Sequence, residues 1–258
     1  MHAWTNVGKK TEHPHPWGLR GTFSTIRKDS DNRFIFLEDH LDRIINSGKA
    51  LGLPWIPSKS EISERLFDIA NNQTDKQPRL FRISLFENLL GIADRITNSF
   101  GLSVEGISFR HKRAQPSHKQ TSDKKLYESL NNLDINKKEL ILIDPKTNEF
   151  LETATSNLIF VEQKHLVIPR RNILTGINLT KIKPILEQRF EIQYRSPHCQ
   201  EILNFDEIIL VGSGRGISTL KNFKEFDWQS SNHSFHLEIK SIYDELIVPP
   251  TSNARVSI

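Results

Sequence analysis

Apolar residues in this chain come in short unbroken runs. Leu140–Ile143, Leu158–Val161 and Ile208–Val211 are apolar throughout. A run of that length makes one buried strand. It falls far short of the roughly 20 residues that cross a bilayer as a helix. Between the runs lie turn residues and segments of helical period, so the chain is expected to fold as a mixed α+β protein with several short strands. Its 258 residues suffice for a real core and for one or two domains.

Residues 1–18 are polar and rich in His and Pro, and read as irregular. Gly21–Arg27 alternates like a strand, and Phe34–Leu37 reads as a second strand, with Asp31 and Asn32 in the turn between them. A helix follows, with Asp39 as its cap and Leu41, Ile44, Ile45, Ala50 and Leu51 at helical spacing, stopped by Gly52 and Pro54. A second helix runs from a Ser60 cap to about Asn72, burying Ile62, Leu66, Ile69 and Ala70. Leu80–Leu85, Leu89–Thr97 and Leu102–Phe109 are expected to complete one sheet with the first two strands. Farther on, Lys124–Asn132 and Leu179–Arg189 read as helices, and Glu207–Val211 as a strand running into the turn Gly212–Gly216. The expected architecture is two lobes, residues 1–112 and 122–258, joined by a connection over residues 113–121, with a cleft between them.

The chain carries a net charge of +4, unevenly spread. Arg110, Lys112, Arg113, Lys119, Lys124 and Lys125 face only Asp123 within the window 110–125, which makes that window +5. Such a cluster suits a solvated face, a nucleic-acid patch or the wall of an anion site. Aromatic residues interleaved with the cations, the usual companion of nucleic-acid binding, are missing apart from Phe109 and Tyr127 at its edges. Cys199 is the single cysteine, which excludes a disulfide framework. There is no signal-like apolar segment at the N-terminus, no glycine-rich nucleotide motif, no His-Glu-x-x-His and no Gly-x-Ser-x-Gly. A cytosolic protein with neither metal nor membrane partner is expected.

Four segments carry chemistry. The first is His40-Leu41-Asp42-Arg43 within Leu37–Ile44, and the second is His118-Lys119. The third is Leu151-Glu152-Thr153-Ala154-Thr155-Ser156-Asn157-Leu158-Ile159-Phe160, followed by Leu174-Thr175-Gly176-Ile177-Asn178. The fourth is Val211-Gly212-Ser213-Gly214-Arg215-Gly216. In this order and spacing, from about Gly21 to Ile217, the chain resembles the class IV aminotransferases. These are two-lobed α+β enzymes of pyridoxal 5'-phosphate (PLP), of the D-amino acid aminotransferase-like fold.

The resemblance implies roles residue by residue. Lys119 would hold PLP covalently and act as the catalytic base; Lys124 and Lys125 compete for that role, although their place beside Leu126 and Tyr127 suits a solvated helix face. Glu152, five residues before Asn157, would face the pyridine nitrogen, and Leu174 would pack on the ring. Arg43, Ile177, Asn178, Ser213 and Gly214 would form the phosphate cup, since an arginine, a helix N-terminus and a glycine-rich turn all suit a dianion. The family has Thr then Arg where this chain has Asn178 and Leu179, and Leu179 cannot replace an arginine. The segment Gly21-Thr22-Phe23-Ser24-Thr25-Ile26-Arg27 is most similar to the start of 4-amino-4-deoxychorismate lyases, which release 4-aminobenzoate and pyruvate. A D-amino acid or branched-chain aminotransferase is the alternative. A substrate with carboxylates calls for arginines on the cleft wall, and Arg27, Arg113 and Arg215 are the expected ones, with Arg82 and Arg110 behind them. The family also implies a homodimer.

Overall fold

The computed structural model describes residues 1–97 and 100–248. Two sheets carry the chain. The first lobe has β1 (His2–Thr5), β2 (Lys10–Thr11), β3 (Thr22–Lys28), β4 (Arg79–Leu85) and β5 (Leu89–Ile96), in the antiparallel order β2-β1-β5-β4-β3. Helices α1 (Leu37–Ala50) and α2 (Lys59–Asn71) belong to this lobe. Leu41, Ile44, Ile62 and Leu66 of these helices join Ile26, Phe81, Ile83 and Ile92 of the strands in one buried cluster.

The second lobe holds β6 (Val104–Arg110), α3 (Lys124–Asn131), β7 (Lys138–Ile143), β8 (Phe150–Thr153), β9 (Asn157–Glu162), β10 (His165–Val167), α4 (Ile177–Arg189), β11 (Ile192–Gln193), β12 (Glu207–Gly212), β13 (Gly216–Phe223), β14 (Trp228–Gln229) and α5 (Ser234–Ile247). Its sheet runs β11-β10-β9-β12-β13-β6-β7-β8, with β14 on β13. Ile159, Val161, Ile209 and Val211 share a cluster with α4 and α5, while Leu158, Phe160, Ile208 and Leu210 belong to a cluster with Phe150, Phe205 and Phe223. Both faces of these strands are covered, which is why their sequences are apolar without alternation.

Several sequence expectations are corrected. Phe34–Leu37 is not a strand: Phe34 makes one bridge to Lys28, and Phe36 turns into the left-handed region with φ 55°. That turn starts α1 at Leu37, so Asp39 lies inside the helix and makes an ion pair with Lys181 of α4 at 2.8 Å. Ser58, not Ser60, caps α2, in a reciprocal capping box with Glu61. The strand expected at Leu102–Phe109 is present as β6, but it pairs with β7 and β13 of the second sheet and not with the first. Residues 1–18 contribute β1 and β2, and β13 and α5 have no counterpart in the sequence reading. The end of the expected second lobe, residues 249–258, lies outside the described residues.

The connection expected between the lobes, residues 113–121, lies within the second lobe, because β6 already belongs to the second sheet; this connection from β6 to α3 is pinned to β3. The Phe23 amide donates to the Lys119 carbonyl at 3.0 Å, and the Thr121 amide donates to the Gly21 carbonyl at 3.0 Å. The Thr22 hydroxyl also donates to the Lys119 carbonyl, at 2.7 Å. Gly21 permits this approach, because a Cβ there would stand 2.4 Å from the Leu85 carbonyl oxygen and 3.0 Å from the Thr121 hydroxyl. Gly21→Ala is therefore expected to force strand and connection apart and to destabilise the protein by about 1–3 kcal/mol, read as a lowered melting temperature.

Candidate active site

A cavity of about 550 Å³ is lined by residues of both lobes. Arg43, Arg113, Lys119, Glu152, Asn157, Leu174, Ile177, Asn178, Ser213 and Gly214 all line it, so the structure brings together every expected cofactor residue. Arg27 and Arg215 do not line it. Arg27 lies over the Phe100 ring at 3.6 Å, and Arg215 is buried in an ion pair with Glu139. Arg110 is exposed and donates to Asn148. The basic window thus divides: Arg113 and Lys119 enter the cavity, Lys112 meets Asp144 at 3.2 Å, Lys124 meets Glu128 at 3.6 Å, and Lys125 sits over Phe109.

Lys119 has a specific setting. Its carbonyl is fixed by β3, and its Nζ lies 5.1 Å from the centre of the Phe23 ring. Burial, then the charges of Arg43 and Arg113, lower its pKa to about 7. The side chain borders the cavity and so keeps some accessible surface, but protein surrounds it and leaves little room for a hydration shell. A lysine amine in this state is a usable nucleophile and proton acceptor at neutral pH.

Glu152, at the end of β8, accepts from Arg113 Nε at 3.0 Å and from the Leu174 amide at 3.1 Å, both on Oε1. Arg113 also donates to the Tyr127 hydroxyl at 2.7 Å and the Ala154 carbonyl at 3.2 Å. Burial pushes the Glu152 carboxyl up, and the guanidinium and the Leu174 amide pull it back. Burial alone would lower the Arg113 pKa, but Tyr127 and Glu152 outweigh it and hold the guanidinium charged. Burial outweighs these donors, and the Glu152 pKa stays above its ordinary value.

Leu174 is held on both sides of its peptide. Asn157 Nδ2 donates to its carbonyl at 2.7 Å, and Asn157 Oδ1 accepts from the Gly176 amide at 2.8 Å. That places Gly176 as the N-cap of α4 without any side-chain cap, so the first amides of the helix are free for an anion. Asn178, in this first turn, donates to the Tyr243 hydroxyl of α5 at 3.1 Å. Across the cavity, Arg43 donates to the Ser24 hydroxyl at 2.7 Å. His40 joins the lobes, with Nδ1 2.9 Å from Ser24 Oγ and Nε2 3.4 Å from Ser213 Oγ. Burial and the charges of Arg43 and Lys119 hold the His40 pKa well below its ordinary value, so the ring is neutral.

Arg43, the open end of α4 and the Ser213 hydroxyl border one cavity and could serve as donors to a phosphate. An amine and a carboxylate complete what PLP needs. The donor chemistry fits that cofactor.

Residues 21–223 match the profile of the class IV amino-transferase family. The chain belongs to that family. Solved structures of similar fold include the branched-chain aminotransferase of the archaeon Thermoproteus uzoniensis with norvaline, 17% identical, with 96% of this chain and 94% of that chain covered and a TM-score of 0.77. A hypothetical aminotransferase of Mycobacterium tuberculosis in its PLP-bound form is 14% identical, with 96% and 99% covered and a TM-score of 0.76. A candidate 4-amino-4-deoxychorismate lyase of Legionella pneumophila is 20% identical, with 88% and 91% covered and a TM-score of 0.70. No curated protein is similar enough to match.

This member of the class IV amino-transferase family has site features beyond the motif residues. Trp17 stacks on Tyr127 with ring centres 4.2 Å apart, Phe23 stands edge-on to both, and all three line the cavity. Trp17 and Tyr127 are distant in sequence and share no period, so no local pattern joins them. Arg82 lies over Trp17 at 4.8 Å and, with Arg95, lines the cavity without an acidic partner among the described residues. Among the described residues no helix is long and apolar enough to cross a membrane, and no cluster of three His, Cys, Asp or Glu could hold a metal.

The low Lys119 pKa has a consequence for folding. Between about pH 7 and the ordinary lysine value of 10.5 the unfolded chain holds a proton on this amine that the folded chain has lost, so its contribution to stability rises with pH across that window. In cofactor-free protein, Lys119→Met is expected to raise the melting temperature by about 2 °C or more below pH 7, because a buried charge is removed. That advantage should shrink as pH rises toward 10; differential scanning fluorimetry from pH 6 to 10 checks it.

Proposed function

We propose that this chain is a PLP-dependent 4-amino-4-deoxychorismate lyase, releasing 4-aminobenzoate and pyruvate. The observation that carries the reading is one cavity holding a Lys119 amine of pKa about 7, the Glu152–Arg113 pair and a phosphate-type donor set, with Arg82 and Arg95 on its wall and unpaired by acids among the described residues. PLP, when bound, supplies an electrophilic carbon for the substrate's amino group and a ring that takes up the electron pair left at the adjacent carbon. Arg43, the amides at Ile177 and Asn178, and the Ser213–Gly214 turn would hold its phosphate. Glu152 would keep the pyridine nitrogen protonated through Oε2, since Oε1 is occupied by Arg113 and Leu174. Leu174 would pack on the ring.

The base is Lys119. Its Nζ, when not joined to the cofactor, would take the proton from the carbon that bears the substrate's amino group. The neighbouring C–O bond would then break, the proton held on Lys119 would pass to the departing oxygen, and pyruvate would leave as its enol. The ring left behind is aromatic, which makes the elimination favourable. Arg82 and Arg95 would hold the substrate carboxylates by charge-assisted hydrogen bonds. They take the place expected for Arg27 and Arg215, while Arg113 is committed to Glu152. The chain would work as a homodimer in the cytoplasm; light scattering should give about twice 29.8 kDa.

Lys119→Ala should abolish borohydride-trappable attachment of PLP, while Lys124→Ala and Lys125→Ala retain it; retention in Lys119→Ala would move the role to another lysine. Glu152→Gln should leave PLP bound and slow proton abstraction by a factor of about 10³–10⁴, a loss of about 4–5 kcal/mol of transition-state stabilisation. Turnover within about twofold of wild type would exclude the assigned role. The reaction itself is decided by two assays. Aminodeoxychorismate alone should yield aminobenzoate and pyruvate. Amino-group exchange between a D- or branched-chain amino acid and 2-oxoglutarate, with no aminobenzoate formed, would make the chain an aminotransferase instead.

A further inference from the structure

Behind the Ser213–Gly214 turn lies a charge pair that lines no part of the cavity. Arg215 and Glu139 are 4% and 0% exposed, and Arg215 Nε donates to Glu139 Oε2 at 2.8 Å. Three pieces of the cavity wall converge on them. The Thr155 hydroxyl, from the turn between β8 and β9, donates to the same Glu139 oxygen at 2.7 Å. Arg215 Nη2 donates to the Ile135 carbonyl and, at 3.1 Å, to the Lys138 carbonyl, which hold the loop between α3 and β7. Arg215 itself belongs to the turn between β12 and β13 that presents Ser213 and Gly214. Thr155 and Ile135 line the cavity in their own right.

The two turns also touch directly. A Cβ on Gly212 would lie 2.5 Å from the Ser156 hydroxyl and 2.9 Å from the Thr155 carbonyl oxygen. Their spacing is therefore set by contact on one side and by the charge pair on the other. The pair is a costly way to gain stability. Glu139 Oε1 and Arg215 Nη1 are buried with no hydrogen-bond partner. Apolar residues of similar volume would commonly stabilise such a site as well or better. What charges provide and apolar groups do not is direction, because each hydrogen bond fixes an angle as well as a distance.

We infer that Arg215 and Glu139 are positioning residues that lock the Ser213–Gly214 turn, the Thr155 turn and the Ile135 loop into the register in which the cavity binds PLP. This rests on the reading of the cavity as the PLP site. It gives Arg215 a role distinct from the substrate contact expected from its sequence position.

The test separates positioning from stability. Arg215→Met alone leaves Glu139 buried without its cation and is expected to unfold the protein or lower its melting temperature sharply. The full-length double variant Glu139→Leu/Arg215→Met removes both charges. It is expected to melt within a few degrees of wild type, to bind PLP at least tenfold more weakly by absorbance titration, and to show at least tenfold faster amide exchange over residues 212–216 and 153–157 in cofactor-free protein. Thr155→Ser should keep wild-type PLP affinity and Thr155→Val should weaken it. A folded double variant with PLP affinity and exchange within twofold of wild type would overturn the inference, as would a double variant that fails to fold, since the pair would then be a stability element. If wild-type protein takes up no PLP, the functional reading falls, and the exchange comparison alone decides whether the pair positions the turns.

Discussion

The pairing of the connection between β6 and α3 with β3 is the constraint on which the site depends. Lys119 lies in a segment with neither helix nor strand of its own, and such a segment would ordinarily leave a side chain free to wander. Here its carbonyl takes two hydrogen bonds from Thr22 and Phe23, and Thr121 closes the next step through Gly21. The backbone around Lys119 is thereby as fixed as an added strand. The amine can then be held 5.1 Å from the Phe23 ring centre and close to two arginines, where solvation is poor and its proton is weakly held.

Electrostatics around that amine are arranged by pairing and by burial together. Arg113 would raise the cost of any cation nearby, but it is neutralised in part by Glu152 and anchored by Tyr127. Arg43 is buried enough that its own pKa falls to about 10, mostly through lost solvation. The aromatic wall of Trp17, Phe23 and Tyr127 faces cations at Arg82, Lys119 and Arg113, an arrangement in which ring faces replace some of the missing water. A cavity lined by Arg43, Arg82, Arg95, Arg113 and Lys119, against the carboxylates of Glu152 and Asp94, suits a ligand bearing a phosphate and carboxylates.

Much of the framework was legible from local patterns. Ile62, Leu66, Ile69 and Ala70 recur at helical spacing and are buried on α2 as that spacing requires. The apolar runs became β7, β9 and β12. Misreadings came where short-range preference met a backbone constraint or a long-range partner. Phe34–Leu37 has strand-forming side chains, but φ 55° at Phe36 ends any extended path. Leu102–Phe109 has the composition of a strand, and nothing in its composition states which of two sheets offers it an open edge. β6 found its neighbours in β7 and β13.

The site divides along the same line. Arg43, Lys119, Glu152, Asn157 and Ser213 were singled out by the resemblance to the family, not by residue type or spacing alone, and the fold places all five on the cavity wall. Which arginines face the cavity was not readable. Arg27, Arg82, Arg95 and Arg215 are alike as residues, and only packing separates them: Arg27 turns onto Phe100, Arg215 onto Glu139, while Arg82 and Arg95 border the cavity. A side chain's partner is set by what the fold brings beside it, and Glu139 stands 76 residues from Arg215. Local sequence determines a residue's chemistry; the side on which that chemistry is presented depends on contacts that exist only once both sheets have closed around it.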